Sequence, residues 1–572
     1  MSTNIEAASS LRPHGKLLDG FMNRWAQLFP VLTADQIASI RRLGGVQRWE
    51  SDQFLFRAGE ARPGMCVLLS GRVSFTSRGR DGKEEFLVEH GPGEFIAEAG
   101  QLIGQPSLCS CRATEAVEAQ VLSPSELRGL LVAEAKLGEL IMRTMILRRA
   151  CAIGCGIGGP ILVGSATNPD LGRLSRFLSR LGHPHTVLNA DTDARSLTIV
   201  PGAGTVDTDA ALVLCPNGEV LRSPSDAELS QHLGLTPSLV ESDIYDLGIV
   251  GAGPAGLAAA VYAASEGLNV VVVDMEAPGG QAGQSARIEN FFGFPTGISG
   301  QELTTRAFLQ AQKFGATIAI PVHAVRLHCS EPLLRLETDG GQYIRCRTIC
   351  IATGARYRRP DIPELERFEG SGVHYWVSPI EASLCAGQEV AVVGGGNSAG
   401  QAIVYLAEYV RHVHVLLRGE DLSASMSHYL VSRIRSLANV TVHTRTELTS
   451  IGGDSVQIDR LTWCERTTGV AESHAIRHLF LFVGAVPNTA WLADCGVRLD
   501  DKRFVITGPT PDQPDRLTLE TSVDRVFAIG DVRAGSTKRV AAAVGQGAAA
   551  IAQIHLKLHQ SGFAFPSASL SI

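Results

Sequence analysis

The chain has 572 residues, of which 45% are hydrophobic and 19% charged, with 60 glycines and 12 cysteines; one hydrophobic core stops growing well below that length, which excludes a single domain and predicts three or four. A net charge of −7 gives no global attraction to phosphate backbones and argues against a nucleic-acid partner. No apolar run reaches the roughly 20 residues that span a bilayer, and the start MSTNIEAASSLRPHGK lacks the charged and apolar regions of a secretion signal, so a cytoplasmic protein without a membrane span is expected.

From the N-terminus, residues 16–150 form a first predicted domain. The short apolar runs QFLFRAGE, MCVLLSGRVSFTS, EEFLVEHGPGEFI and RATEAVEAQVLS, broken by Gly and Pro, predict an antiparallel barrel or jelly roll flanked by helices over 34–42 and 124–150. CAIGCGIGG at 151–159 reads as a turn-rich linker. Over 160–236 the patterns run βαβ and then ββα, a small thioredoxin-like α/β layer. The cysteines are scattered and none has C-x-x-C spacing, which removes the commonest dithiol centre and most zinc sites; no metal site is expected. Cys109 and Cys111 would share one side of a strand, as buried small residues.

The chemistry concentrates beyond residue 243. YDLGIVGAGPAGLAAAVYAASEGLNVVVVDMEAPGGQ, 245–281, reads as strand, glycine loop, helix and second strand, with Gly251, Gly253, Pro254, Ala255 and Gly256 in the loop and Asp274 ending the second strand. Glycines let backbone approach a pyrophosphate, a helix N-terminus stabilises its charge, and an acid at that distance suits ribose hydroxyls. QEVAVVGGGNSAGQAIVYLAEYVRHVHVLLRGED, 388–421, repeats the plan with Gly394, Gly396, Asn397, Ser398 and Ala399, but its second strand ends at Arg418. An arginine there attracts a 2′-phosphate that an acid would repel, favouring NADPH, with NADH as the alternative. TICIATGARYRRP, 348–360, carries Thr353 and Gly354 in a strand-end turn. TSVDRVFAIGDVRAGSTKRVAAAVGQGAAAI, 521–551, carries Gly530 and Asp531 before a helix starting near Arg539 and Val540. Such an aspartate suits a ribityl hydroxyl, and such a helix N-terminus the charge of a reduced flavin.

With GGQ at 279–281 (Gly280, Gln281), Asn290, VGAVPNT at 483–489 and FAIGDV at 527–532, residues 243–560 resemble the thioredoxin reductase branch of the FAD/NAD(P)H pyridine-nucleotide oxidoreductases. The resemblance implies an FAD-binding domain split over 243–370 and 486–560, two Rossmann-like folds with an NAD(P)H-binding domain inserted at 371–485, and a homodimer. GEFIAEAGQLIGQPSLCSCRATEA, 93–116, resembles the phosphate-binding cassette of cyclic-nucleotide domains, with Glu98 in place of its ribose-binding acid. No arginine stands near Ser107, where that family keeps its phosphate ligand, and Arg112 would need a rebuilt loop. Weak or absent cyclic-nucleotide binding follows, because an unneutralised buried phosphate is costly. No helix-turn-helix follows. In the middle domain GSATN, Gly164 to Asn168, stands where a glutaredoxin keeps its dithiol, and Ala211 where the usual cis-proline sits, so docking or spacing is the expected role.

HYWVSPIEASLC, 374–385, occupies the place where related reductases keep their dithiol just beyond the tyrosine; here Tyr375 is followed by Trp376-Val377-Ser378-Pro379. Without a thiolate there, electrons are expected to leave the flavin directly, toward a quinone, another flavin, ferredoxin or oxygen. The reading is an FAD-dependent NAD(P)H oxidoreductase with no catalytic acid or base singled out. The alternatives are disulfide reduction through Cys385 or an external thiol, and a nucleotide- or partner-gated redox sensor.

Overall fold

The apolar residues of the N-terminal runs alternate with polar ones, and in the computed structural model, which describes residues 23–61, 64–79, 83–193, 210–285, 287–329, 332–369, 372–377, 379–454 and 457–562, they close two antiparallel sheets over one core. One sheet orders Gly45–Trp49, Val117–Leu122, Met65–Ser70 and Phe95–Ile96; the other orders Phe54–Phe56, Ser110–Ala113, Val73–Arg78 and Glu84–His90. Leu68, Val73, Ile96, Cys111, Ala113 and Val121 fill the space between them. The single helix expected over 124–150 is two, Pro124–Ala133 and Ala135–Cys155, broken at Glu134. The break lets two apolar stripes, Leu127/Leu130/Leu131 and Leu137/Ile141/Met145, reach the same core. The second helix also runs on through Cys155 to a left-handed Gly156, so the expected linker begins later than residue 151. Cys151 prolongs the apolar stripe onto Trp25 and Leu28.

The middle sheet orders Thr186–Asn189, Ile161–Gly164, Leu212–Leu214 and Val220–Arg222, with the first pair parallel and the others antiparallel. Helix Pro169–Arg180 starts where the Asn168 side chain accepts from the amides of Asp170 and Leu171 with a proline just inside. It buries Leu171, Leu174, Phe177 and Leu178 at helical spacing.

Beyond residue 243 two large sheets form, beside a three-stranded antiparallel one of Thr446–Gly453, Ile458–Glu465 and Ala471–His474 and a two-stranded pair. The first orders Thr317–Ala319, Val270–Val273, Ile244–Val250, Tyr343–Ile351, Leu334–Thr338 and Ala324–His328; Val526–Ala528 returns to lie parallel beside Tyr343–Ile351. The second, wholly parallel, orders Val373–His374, His478–Leu481, Glu389–Val393, His412–Leu417 and Val440–Thr444. The antiparallel pair Ala355–Tyr357 with Ala485–Pro487 links the two. The polar-poor strands VVVV and EVAVV are buried on both faces, as helix-covered parallel strands must be. Helices Pro254–Ser265 and Val540–Gln560 approach so closely that a side chain at Gly547 would lie 2.6 Å from the Ala255 carbonyl oxygen. Among the described residues no helix is long and apolar enough to cross a membrane.

Candidate cofactor sites and the segment between them

The glycine loop at 251–256 divides its work among three positions. Gly251 has φ +111, and a Cβ on Gly256 would sit 1.9 Å from the Gly251 oxygen, so these two glycines make the turn and the close helix approach. A Cβ on Gly253 would meet nothing within 4 Å, although the loop around it is packed. Gly253 is also the N-cap of helix Pro254–Ser265, with no side chain capping the free amides. Five other helices start on Thr33, Ser123, Asn168, Ser225 or Ser299, whose side chains take up those amides, whereas those starting at Glu134 and Ser427 also lack a side-chain cap. An open approach beside uncapped N–H donors fits a dinucleotide pyrophosphate.

Asp274 has a task that its position in sequence did not reveal. One carboxylate oxygen accepts from the Ala252 amide (2.7 Å) and the other from those of Glu276 and Ala277 (2.9 and 3.3 Å), which ties the strand end to the glycine loop. Burial pushes its carboxyl up, against the pull of these amides. The Gly279 amide donates to the Ala252 oxygen (2.8 Å), and a Cβ on Gly280 would fall 3.2 Å from Gly253, so GGQ lies on the glycine loop. The Gln281 amide donates to the Ala355 oxygen, beside Thr353 and Gly354. That turn is held by Asn488: Thr353 Oγ1 donates to its backbone oxygen (2.8 Å) and its Nδ2 donates back to the Thr353 oxygen (2.9 Å). Gly530 abuts Ala255, where a Cβ would lie 2.9 Å from the Ala255 Cβ, and its amide donates to Gln546 (2.7 Å). Burial raises the Asp531 carboxyl, opposed by nearby Lys538, whose Nζ donates to the Asp531 backbone oxygen (2.8 Å). Helix Val540–Gln560 begins at Arg539 without a side-chain cap, leaving its first amides available. These motifs converge around the open Gly253; Asn290 stands exposed on the adjoining loop. Asn488, Gln546 and Lys538 were not singled out from sequence; the partner of Asn488 lies 135 residues away, while Lys538 and Gln546 act on the nearby Gly530-Asp531 turn through loop and helix geometry that no motif spells out.

The second loop repeats the logic. Gly394 has φ +142 with the Phe482 oxygen 2.5 Å from an added Cβ, whereas a Cβ on Gly396 meets nothing within 4 Å. Gly396 caps helix Asn397–Leu406 without a side-chain bond, and Ala399 is fully buried. Asn397 accepts from the Ser427 amide (2.7 Å), which fixes the neighbouring loop, and Ser398 is exposed. Arg418 ends strand His412–Leu417 and is exposed. Arg433 spans the two folds, its Nη1 donating to both carboxylate oxygens of Glu289 at 3.0 Å.

Between the loops, His374 is buried and stacks on Phe480 (ring centroids 4.8 Å apart), and Tyr375 donates to Glu369 (2.6 Å). Trp376 is half-buried; Val377 joins Ala382 and Cys385 in the core beside strand Glu389–Val393; Ser378 lies outside the described residues. Cys385 is 0% exposed, and burial pushes its thiol up to about 12.

Residues 245–547 match the family model of the pyridine nucleotide-disulphide oxidoreductases, more than half of the chain. The chain belongs to that family. Among its relatives, the NADPH-dependent thioredoxin reductase 3 of Arabidopsis thaliana is 33% identical over 57% of this chain and 63% of its own length. The NADH dehydrogenase of Bacillus subtilis is 32% identical over 54% of this chain and 58% of its own. The chain thus spans less than two thirds of these curated relatives. The structure of T. acidophilum thioredoxin reductase superposes with a TM-score of 0.51 at 29% identity, covering 56% of this chain and 99% of that one. FAD and NADPH are the cofactors of thioredoxin reductase-like members of this oxidoreductase family, and the two open, uncapped glycine loops fit them. Residues 46–134 match the cyclic nucleotide-binding domain model.

In this chain the cleft beside Glu98 in that N-terminal domain is filled from within. Glu98 caps its own short helix through the Gly100 amide (2.8 Å) and pairs with Arg149 Nε (2.5 Å), both side chains being 13% exposed. Arg149, on helix Ala135–Cys155, also donates to the Gly182 oxygen (3.3 Å) of the middle layer. The middle layer covers the mouth: a Cβ on Gly59 would lie 2.9 Å from Asn217, and one on Gly234 would lie 2.6 Å from Pro106. Glu98, Ser107, Arg149, His183, Asn217 and Leu233 line a void of only ≈ 20 Å³, room for about one water and far short of a nucleotide. Arg112 lies outside the cleft, paired with Asp52 (3.1 Å). In the middle layer GSATN starts a helix and carries no thiol; Ala211 faces Gly164, and Cys215 is buried with its thiol pushed up to about 11.

Proposed function

We propose that this protein is an FAD-dependent NADPH oxidoreductase that delivers electrons to an acceptor other than a dithiol of its own. When bound, FAD supplies a two-electron centre that takes hydride from the nicotinamide and returns electrons to a second substrate. The chain's part is to hold, orient and polarise. The backbone of the Gly251, Gly253, Pro254, Ala255 and Gly256 loop would hold the FAD pyrophosphate, the N–H groups of Ala255 and Gly256 donating and Pro254, which has none, setting the first helical turn, while Asp274 braces that loop toward the ribose. Gly280, Gln281, Asn290, Thr353 and Gly354 frame the ring end, Asp531 beside Gly530 binds the ribityl chain, and the amides at Arg539 and Val540 favour a negative charge on the reduced ring. Gly394, Gly396, Asn397, Ser398 and Ala399 hold the second nucleotide, with Arg418 toward a 2′-phosphate.

The observation that carries the reading is the segment 374–385: its one thiol, Cys385, is enclosed and held protonated, and its neighbours are His374, Tyr375, Trp376 and Val377. Relatives at similar identity bear the names of a thioredoxin reductase and of an NADH dehydrogenase, so the family scaffold accommodates both outlets. The test is anaerobic reduction of the purified protein by NADPH and by NADH, followed at the flavin bands, then reoxidation by quinone, flavin, ferredoxin, oxygen and thioredoxin disulfide. Rapid reoxidation by thioredoxin disulfide overturns the choice of acceptor, and its specific loss in Cys385→Ser would assign the relay to that thiol; failure of both nucleotides to reduce the flavin overturns the whole reading.

The N-terminal unit (16–150) and the middle unit (160–236) act in this reading as a docked scaffold on the FAD unit (243–370 with 486–560) and its nicotinamide insertion (371–485). The Glu98–Arg149 pair supports this, because a nucleotide would have to displace both Arg149 and the covering layer. Contacts onward to the FAD unit, Arg180 with Glu276 (2.9 Å) and Thr236 Oγ1 to the Ile320 oxygen (2.6 Å), make the stack continuous. A thermal-shift titration with cAMP and cGMP checks it; a raised midpoint would restore the sensor reading.

A further inference from the structure

The junction where the N-terminal unit, the middle layer and the FAD unit meet holds a titratable side chain that none of the chemistry above uses. His183 follows helix Pro169–Arg180 through a left-handed Gly182 (φ +62). It is 6% exposed, and among the described residues neither ring nitrogen has a hydrogen-bond partner. The ring lines two small voids at once: the ≈ 20 Å³ space beside Glu98, and a second of ≈ 40 Å³ that reaches Thr305, Phe308 and Gln312 of the FAD unit. Its backbone is fixed, the His183 amide donating to the Leu178 oxygen (2.9 Å) and Arg149 Nη1 to the adjoining Gly182 oxygen (3.3 Å).

The charged and titratable groups around the ring are already committed. From the N-terminal unit, Glu98 gives one oxygen to Arg149 Nε (2.5 Å) and the other to the Gly100 amide (2.8 Å). From the middle layer, His185 has Nδ1 3.0 Å from the His183 backbone oxygen and Nε2 3.1 Å from Ser175 Oγ, while His232 Nδ1 lies 3.2 Å from Glu219. The FAD unit faces the second void with Thr305, Phe308, Leu309, Gln312, Ile318 and Ile320, none of them charged. A proton on His183 would therefore be buried in a lining that already holds the Arg149 guanidinium, with no carboxylate left to neutralise it. Burial first, then Arg149 and His185, keep the ring neutral well below the ordinary imidazole value.

We propose that His183 is a proton-operated latch: neutral, it lets the middle layer seat on the N-terminal and FAD units; protonated, it drives that seat open. The sign follows from burial. Once the junction opens, the ring meets water and takes a proton at about 6.5; closed, it stays neutral far below that. The closed junction keeps its full strength above that value, and below it the opening equilibrium rises about tenfold per pH unit until the closed ring itself titrates. The contacts that part are those of Arg149 with the Gly182 oxygen and of Asn217 against Gly59, none of them a cofactor residue. The inference rests on the docked arrangement of the three units and is independent of which acceptor the flavin serves.

The experiment is backbone amide hydrogen exchange of the full-length flavoprotein at about pH 7.5, 6.5 and 5.5, each rate divided by the intrinsic rate at that pH, read over peptides covering 98–108, 145–157 and 178–190. The opening constant of these peptides should rise about tenfold from the highest to the lowest pH, while strand Ile244–Val250 stays protected. In His183→Leu the rise should shrink to less than about twofold. His183→Gln, which also cannot take the proton, gives the same reading should the leucine variant fail to fold. A profile flat with pH in the wild-type protein, or a rise that persists in the variants, overturns the proposal. Rapid exchange of these peptides already at the highest pH removes the docked arrangement, and the latch with it.

Discussion

Replacing Gly253 and Gly256 separately by alanine should pull cofactor binding and folding apart. At Gly253 the backbone is extended with φ −71, which any residue adopts, and the added methyl meets no protein atom within 4 Å. The apo-fold should therefore shift by no more than about 1 kcal/mol in either direction. The methyl stands instead in the approach to the uncapped amides of helix Pro254–Ser265, where a pyrophosphate must come close. Losing two charge-assisted hydrogen bonds, each worth about 1.5–3 kcal/mol, weakens FAD by roughly two to four orders of magnitude. At Gly256 the methyl would sit 1.9 Å from the Gly251 oxygen, a backbone atom that cannot step aside. Overpacking of this kind costs about 1–3 kcal/mol or more, so the apo-protein itself should melt earlier. The assay is the flavin-to-protein absorbance ratio after purification and dialysis against FAD, beside thermal unfolding of the flavin-stripped proteins. Full flavin retention in Gly253→Ala would refute the placement of the pyrophosphate; an unchanged apo midpoint in Gly256→Ala would refute the packing argument.

Cys385→Ser should leave flavin reduction and acceptor turnover within about twofold of wild type, because a buried thiol held at about 12 supplies no thiolate near neutrality. Burial holds the His374 and His414 imidazoles neutral, at about 4, the imidazoles of His478 and of His412 and His443 adding to it. The unfolded chain takes up those protons at about 6.5, so stability is intact above that pH and is lost as the pH falls toward 4; thermal midpoints across this range should drop, and less steeply in the double glutamine variant. Arg149→Ala leaves Glu98 enclosed without its cation and should cost about 2 kcal/mol, read as faster amide exchange at Gly182 and His183, while cAMP still gives no thermal shift. Arg418→Ala should raise the KM for NADPH several-fold and leave that for NADH nearly unchanged in steady-state kinetics; equal effects on both would remove Arg418 from the 2′-phosphate site.

Much of the cofactor chemistry was legible because it is local. A glycine loop between strand and helix needs particular residues within a few positions of one another, so Gly251 to Gly256 and Gly394 to Ala399 announce themselves in the chain, and so does the missing dithiol after Tyr375. The second task of Asp274 was not legible: the same carboxylate that would suit a ribose braces the Ala252 amide, and only the loop's curvature shows it. Nor was the break at Glu134, since residues 124–155 carry helical spacing throughout and the shape of the sheet decides where the helix bends.

By itself the sequence determined which nucleotide loops exist, in what order, and where a thiol is lacking, because sterics and hydrogen bonding within short segments dictate those residues. The tertiary structure alone decided that Arg149 fills the cleft beside Glu98, that the middle layer covers it, and that Arg433 reaches Glu289 across the two dinucleotide folds. Each of these depends on which distant surfaces are driven together when apolar area is buried, and no spacing within a single segment encodes that meeting.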